Sequence, residues 1–474
     1  MVDVTASRFK ESAAEAIKDP HLQSALKNLQ TGFVAARQRA ADGLDEFEDM
    51  RDTAVELKNH ILANMDLYLE MFEERVTAQG GTVHFCSTAE EARQAITDLC
   101  RQYDAKTVTK GKSMVAEEIA LNQHLEANGI EPVETDLGEY IIQLAEEPPS
   151  HIIGPAVHKT KDQVSDLFHE HHGKYGKTKR LTEAEDLVAE AREVLRQKYF
   201  DADVGITGAN FLIAETGSTI IVTNEGNGDL TQMLPKAHIV ISAIDKVVPT
   251  LEDVSTILRV LARSATGQEM SVYTTLSTGP KREADLDGPG GFHVVILDNG
   301  RSALLGTEKQ DLLRCIRCGA CMNHCPVYTA VGGHAYGWVY PGPIGAALDP
   351  HFIGIEEGRH LPNASTFCGR CQQVCPMRIP LPKIMRHWRE EAFEKKLPPA
   401  RERYGLAAWA FMAKRPGLYR LASRVGMRLM GRAGSVRGGR FESLPMASGW
   451  TKGRDMPAPE GRTFIDRWKA GDRG

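Results

Sequence analysis

Seven of the nine cysteines in this 474-residue chain fall between Cys315 and Cys375, and their spacing constrains the fold more than any other feature. The first run is Cys315-Ile-Arg-Cys318-Gly-Ala-Cys321-Met-Asn-His-Cys325-Pro326, a C-x2-C-x2-C-x3-C-P pattern. Three thiolates this close can hold three corners of one iron–sulfur cubane, while the chain carries the fourth to the other cluster of a two-cluster ferredoxin. Gly319 permits a tight turn close to inorganic sulfide, and Pro326 directs the chain away. The second run is Cys368-Gly-Arg-Cys371-Gln-Gln-Val-Cys375-Pro376, with Ser365 where a leading cysteine would stand.

The crossing rule gives an unequal pair. Cluster 1 takes Cys315, Cys318, Cys321 and Cys375; cluster 2 takes Cys325, Cys368 and Cys371. The second set is one thiolate short. It suits a [3Fe–4S] cluster, or a [4Fe–4S] cluster whose fourth iron takes Ser365, water or a partner's group. Two [4Fe–4S] clusters is the reading adopted, and the spacing leaves the other open. A zinc ribbon needs paired C-x2-C units and four ligands, which seven cysteines and two C-P endings fit poorly. The long insert from Pro326 to Phe367 points to a helical ferredoxin-like module with an inserted loop. Tyr336, Trp338 and Tyr340 in that loop are read as packing around the clusters.

The rest of the chain reads as three further stretches. Residues 1–75 show helical spacing of apolar side chains. Residues 76–300 alternate strand and helix patterns, as in an α/β domain with a mainly parallel sheet. Strands are predicted at 82–85, 107–109, 152–153, 204–207, 212–214, 219–223, 238–243, 271–275 and 293–297. Helices are predicted at 89–103, 114–128, 183–198 and 251–265. The ferredoxin-type module spans 301–390, and a basic helical tail spans 391–474. In that tail Leu406, Trp409, Met412, Leu418, Leu421, Val425, Leu429 and Met430 interleave with arginines. Such a segment docks onto a protein partner or lies on a membrane surface; protein docking is the reading preferred.

Within the α/β stretch, Lys110 and Lys112 lie in a strand-to-helix turn before Ser113, a place where backbone N–H groups and cations converge on anions. It is not a P-loop, because the G-x-x-x-x-G-K spacing is absent. Glu215, at a strand end, is the third candidate ligand-binding residue, and the Asn224–Gly228 turn lies nearby in sequence. His169, His171 and His172 sit in a very polar stretch and are read as a solvated loop. Cys86 and Cys100 are read as buried small apolar residues.

Composition excludes some classes. A net charge of −6 argues against a dedicated nucleic-acid binder. The polar N-terminal stretch does not resemble a secretion signal, and no run of about 18 apolar residues suggests a membrane span. C-x2-C spacing in that setting favours metal ligation over disulfides, and a cytoplasmic location is expected. No flavin or Rossmann G-x-G-x-x-G motif is visible, so hydride chemistry is expected elsewhere or on a cofactor without a sequence signature.

The cysteine runs together with Gly337-Trp-Val-Tyr-Pro-Gly-Pro-Ile-Gly345, Glu134-Thr-Asp-Leu-Gly-Glu-Tyr-Ile-Ile-Gln143, Thr207–Thr219 and Gly449–Pro459 resemble the lactate utilization protein B family. The likeness runs over nearly the whole chain. It implies a LUD-type α/β domain related to the NagB/RpiA/CoA-transferase folds, followed by an all-α ferredoxin module. It further implies a three-protein L-lactate oxidation system, in which this subunit passes electrons through its clusters to an acceptor and carries no catalytic residue. Two other readings stay open: an electron carrier for another 2-hydroxy acid dehydrogenase, such as one for glycolate, or an enzyme acting on an anionic substrate in the α/β domain.

Overall fold

The computed structural model describes residues 4–444, 451 and 453–472, so the Gly449–Pro459 stretch lies partly outside the described residues. The chain divides into two compact units, Met1–Ala392 and Phe393–Gly474.

The core of the first unit is a six-stranded, fully parallel sheet. Ten strands occur there among the described residues: β1 (Thr82–Cys86), β2 (Thr107–Gly111), β3 (Glu131–Glu134), β4 (Val204–Gly208), β5 (Phe211–Ile213), β6 (Ser218–Thr223), β7 (Ala237–Ala243), β8 (Val247–Val248), β9 (Tyr273–Ser277) and β10 (Gly291–Leu297). The main sheet has the order β1-β10-β7-β4-β2-β3, with every neighbouring pair parallel. Strands β4, β7 and β10 are buried along their whole length, as expected when helices cover both faces. A smaller sheet, β8-β5-β6-β9, mixes antiparallel and parallel pairs.

Several elements depart from the sequence expectation. Residues 152–153 form no strand; they lie in a bend, where two β-branched residues wall a cavity rather than pair. The helix expected over 114–128 is two helices, Met114–Glu118 and Leu121–Ala127, broken at Ala120 with φ +52°. Strand β3 is masked in sequence by Pro132 and its terminal glutamates; proline is tolerated because β3 is an edge strand. The histidine stretch is no solvated loop. His169 and His171 end the helix Lys161–His171. His172 is fully buried, held by Tyr140 Oη at 3.0 Å and Glu190 at 2.8 Å.

Residues 301–390 carry short helices and 3-10 turns and no strand among the described residues. The helices Ala35–Asp42 and Phe47–Ala63 belong to the same unit and reach the cysteine runs, as detailed below. Cys86 and Cys100 are buried in the main hydrophobic core.

The second unit contains the helices Ala400–Ala413 and Pro416–Val436, a two-stranded antiparallel pairing of Arg440–Phe441 with Met456–Pro457, and the helix Phe464–Lys469. Arg424 forms a two-pronged ion pair with Asp466 within this unit. Among the described residues no helix is long and apolar enough to cross a membrane.

Candidate metal centre

The two cysteine runs fold into the same local turn. Arg317 and Gly319 adopt φ of +58° and +73°; Phe367 and Gly369, at the matching positions, adopt +55° and +80°. A short helix follows each turn, Ala320–Asn323 and Arg370–Val374. Holding a non-glycine residue in this region costs of order 1 kcal/mol, and the repetition at both runs marks a shared geometric demand. Ser365 occupies the register position of Cys315, and its hydroxyl oxygen accepts the Phe367 N–H at 3.1 Å.

The thiols form two groups. Cys315, Cys318, Cys321 and Cys375 line one small cavity, closed by Ile152, Ile344, Met377 and Leu381. Cys325, Cys368 and Cys371 form the other: Cys371 feels the charge of Cys325 and Cys368, and Cys325 that of Cys368. Burial is the main influence on most of them and pushes Cys371 up to about 12 and Cys375 to about 11. Buried sulfurs this reluctant to ionise alone need a bound cation to stay as thiolates. An all-sulfur set converging on one enclosed space therefore fits an iron–sulfur cluster. Cys368 differs: it is exposed, and the Arg370 backbone N–H helps lower it.

Cations surround the four-cysteine cradle and grip its backbone. Lys246 Nζ donates to Cys315 O at 2.9 Å. Arg51 donates to Gln373 O at 2.9 Å and Cys375 O at 2.6 Å, and Arg37 to Val374 O at 3.0 Å. Lys58 donates to Asp245 O at 2.5 Å; burial, then the neighbouring Lys246 charge, lowers it to about 8. Sequence reasoning missed these residues. The available signal was their position: Arg51 and Lys58 share the buried stripe of helix Phe47–Ala63 with Met50, Ala54, Ile61 and Leu62.

A buried ion network ties the cradle to the sheet. Arg301 grips both Glu118 oxygens at 2.9 and 2.6 Å, and Tyr340 Oη donates to Glu118 at 2.7 Å. Arg301 also faces Asp245, which pairs with Lys246. Burial opposes ionisation of Asp245 and Glu118, but the cations beside them win and hold both carboxyls below their ordinary values. His151 is buried against Gly319. Two backbone N–H groups donate to its Nδ1, which leaves Nε2 as the donor to Asn323 Oδ1; burial lowers it to about 4.

A second cavity, of about 520 Å³, opens at the carboxyl ends of the sheet. Strands β2 and β4 are neighbours there, and the chain leaves β2 toward β3 but leaves β4 toward β7. Such a reversal is where open parallel sheets make ligand crevices. The loops after β2 and β4 approach so closely that a Cβ on Gly208 would lie 2.3 Å from Lys112 O. On the far side the cavity is walled by Ile316, Arg317 and Tyr340.

The three ligand-binding candidates separate here. Lys112 lines the cavity, paired with Asp136 and Glu225. Lys110 does not line it; its ammonium is buried between Glu117 at 2.8 Å and Glu134 at 2.7 Å. Burial opposes its charge, and those carboxylates more than restore it. Glu215 is exposed and accepts the Leu251 N–H at 3.1 Å, capping helix Leu251–Ala265 rather than facing the cavity.

Comparison with known proteins covers all three parts of the chain. Family models match as a LUD domain over residues 69–297, a 4Fe-4S dicluster domain over 311–379, and the C-terminal region of lactate utilisation protein B over 393–472. Lactate utilization protein B of Bacillus velezensis is 44% identical over 97% of this chain and 96% of its own length. The protein of the same name in Bacillus subtilis is 43% identical, covering 97% and 95%. A protein of Escherichia coli described as an uncharacterized electron transport protein is 41% identical, covering 97% and 96%. The solved structure of a DUF162 family protein from Deinococcus radiodurans covers 49% of this chain and 98% of its own, at 16% identity and a TM-score of 0.28.

Proposed function

Because the chain belongs to the lactate utilization protein B family, we propose that it is the iron–sulfur electron-transfer subunit of a multi-protein system oxidising L-lactate to pyruvate in the cytoplasm. The observation that carries this reading is the sorting of seven cysteines into a buried four-thiol cradle and a three-thiol set that reaches the surface at Cys368. Cys315, Cys318, Cys321 and Cys375 hold one [4Fe–4S] cluster; Cys325, Cys368 and Cys371 hold a second, with Ser365 beside its open corner. Each cluster supplies one-electron redox chemistry when bound.

The chain's own residues contribute the surroundings. Arg37, Arg51 and Lys246 fix the carbonyls of the cradle, and Ile344, Met377 and Leu381 exclude water from it. The second set, which reaches the surface at Cys368, is the side from which another protein of the system exchanges electrons. The α/β domain is of the LUD type, in the wider NagB/RpiA/CoA-transferase group.

Two measurements test the reading. Anaerobic purification with full reconstitution is expected to give about eight irons per chain with matching sulfide; fewer than about six excludes two full clusters. Deletion of the gene is expected to abolish growth on L-lactate. Normal growth on lactate with lost growth on glycolate would instead assign the chain to a different 2-hydroxy acid.

A further inference from the structure

A second group of metal-ligating side chains lies outside the two cysteine runs. Glu147 and His158 belong to the loop between helices Leu137–Leu144 and Lys161–His171. His334 opens the 3-10 turn His334–Tyr336, in the insert between the cysteine runs. Although far apart in sequence, the three side chains converge. One ligand atom from each lies within 4.8 Å of the other two. The two imidazole rings meet edge to face, with centroids 4.5 Å apart.

The backbone beneath them is fixed by contacts that do not involve the three side chains. Tyr328 Oη donates to Ser150 O at 2.7 Å, and the Gly333 N–H donates to Ser150 Oγ at 3.3 Å. A Cβ on Gly333 would lie 1.8 Å from Ser150 O, so only glycine lets the insert seat this closely on the loop. His158 is buried, whereas His334 is exposed. The group is therefore anchored on one side and open to solvent on the other.

The hydrogen bonds leave electron pairs free. His334 Nε2 lies 2.8 Å from Pro148 O. A carbonyl only accepts, so Nε2 carries the proton and Nδ1 keeps a lone pair, which no donor meets among the described residues. A ring N–H given to a backbone carbonyl is the outer support that metal-ligating histidines use. Lys159 Nζ holds Glu147 Oε1 and leaves Oε2 to His158 Nε2, at 2.7 Å. The other ring nitrogen of His158, Nδ1, is buried without a hydrogen-bond partner among the described residues. An orphan of this kind costs roughly 1–3 kcal/mol. The centre is thus a set of electron-pair donors, with its one ammonium already engaged, and it suits a cation rather than an anion.

Two imidazoles and one carboxylate also narrow the metal. Calcium and magnesium take oxygen shells, whereas imidazole suits zinc and its first-row neighbours, with zinc bound more tightly than ferrous iron. A tetrahedral zinc site, with ligands at about 2.0–2.1 Å, sets its ligand atoms roughly 3.3 Å apart. Small side-chain rotations bring the present spacing to that value.

We propose that Glu147, His158 and His334 bind one divalent cation of the zinc class through a carboxylate oxygen and two imidazole nitrogens, with water in the remaining position. The ion ties the insert to the loop whose Ile152 walls the four-cysteine cradle. This site goes beyond the electron-transfer reading and does not depend on it.

The experiment uses the full, cluster-loaded chain under anaerobic conditions, with Zn2+ as probe, titrated against a chromophoric chelator. The expected result is saturable uptake of about one equivalent with no loss of iron. Zinc X-ray absorption is expected to show nitrogen and oxygen ligands alone, at about 2.0–2.1 Å. His334→Ala and Glu147→Gln are each expected to weaken binding at least tenfold while keeping the wild-type iron content and EPR spectrum. His334→Ala is the decisive variant, because the side chain is exposed and its hydrogen bond is to a single carbonyl. Absence of saturable zinc binding overturns the proposal, as does binding that His334→Ala leaves unchanged. A sulfur shell at about 2.3 Å, or iron released in step with zinc uptake, overturns it too and assigns the zinc to the cysteines. The iron count and the lactate growth test are read separately, so failure here is distinct from failure of the electron-transfer reading.

Discussion

The two cysteine turns share a backbone and differ in nearly everything around it. Left-handed residues at Arg317 and Gly319 in the first recur at Phe367 and Gly369 in the second. Yet the cradle fed by the first turn has four thiols, a closed apolar wall and the cations Arg51, Lys58, Lys246 and Arg317 around it. The second set has three thiols, Ser365 in the register of the missing one, and Cys368 on the surface. The difference teaches that turn geometry makes a metal site possible, whereas burial and charge decide how it behaves. Cations close to a cluster favour its reduced, more negative form, so the first site is expected to have the higher potential and the second the more direct route to a partner.

The most severe way to break this comparison is to remove a thiol from the closed cradle. Cys318→Ala is expected to lose about four irons per chain and the EPR signal of one cluster, together with cooperative thermal unfolding. Cys368→Ala, at the exposed corner, is expected to lose only the second cluster's signal and to leave the unfolding transition nearly in place. Equal damage from the two would erase the distinction between the sites.

Next in size is the buried network that joins the first site to the sheet. Glu118→Gln leaves Arg301 short of its counter-charge and is expected to cost about 3–5 kcal/mol, read by urea denaturation. The acid limb carries a sign. Arg301 and Tyr340 hold the Glu118 carboxyl below its ordinary value despite burial. Its stabilising contribution is therefore present above the ordinary glutamate range and is lost as pH falls through the depressed value. Wild-type stability is expected to decline below about pH 4, and the variant to show a flatter acid limb.

Arg51→Ala tests the cation shell. It strips a charged donor from Gln373 O and Cys375 O, each such bond contributing roughly 1.5–3 kcal/mol. A fall in the first cluster's midpoint potential is the expected sign in an EPR redox titration, with the second cluster's unchanged. The smallest change is at Ser365. Ser365→Ala deletes one half-exposed hydrogen bond to Phe367 N–H and is expected to cost no more than about 1 kcal/mol. Ser365→Cys is expected to change the second cluster's EPR spectrum by completing its thiol set.

Much of this molecule is legible from its sequence where the physics is local. Strands β1, β4, β7 and β10 are β-branched runs with sharp ends, and their positions are read to within a residue or two. Where an element depends on distant packing, reading fails. Ile152 and Ile153 look like a strand but serve as a wall. Pro132 hides an edge strand, and Ala120 breaks a helix with no glycine to announce it. At the site the same division holds. Lys110 lies in strand β2 rather than in the turn expected for it, and Lys112, two residues on, begins that turn; they end in opposite situations, one sealed between Glu117 and Glu134, the other lining the cavity.

The sequence by itself determined the thiol chemistry, because C-x2-C spacing places sulfurs within one turn of backbone whatever surrounds it. It also carried the motifs that tie the chain to its family. Only the tertiary structure decided what encloses those sulfurs. Arg37, Arg51 and Lys58 come from N-terminal helices, Lys246 and Arg301 from beyond strands of the sheet, and nothing in local spacing brings them together. Long-range packing does so, because a buried cation must find its counter-charge wherever the fold places one.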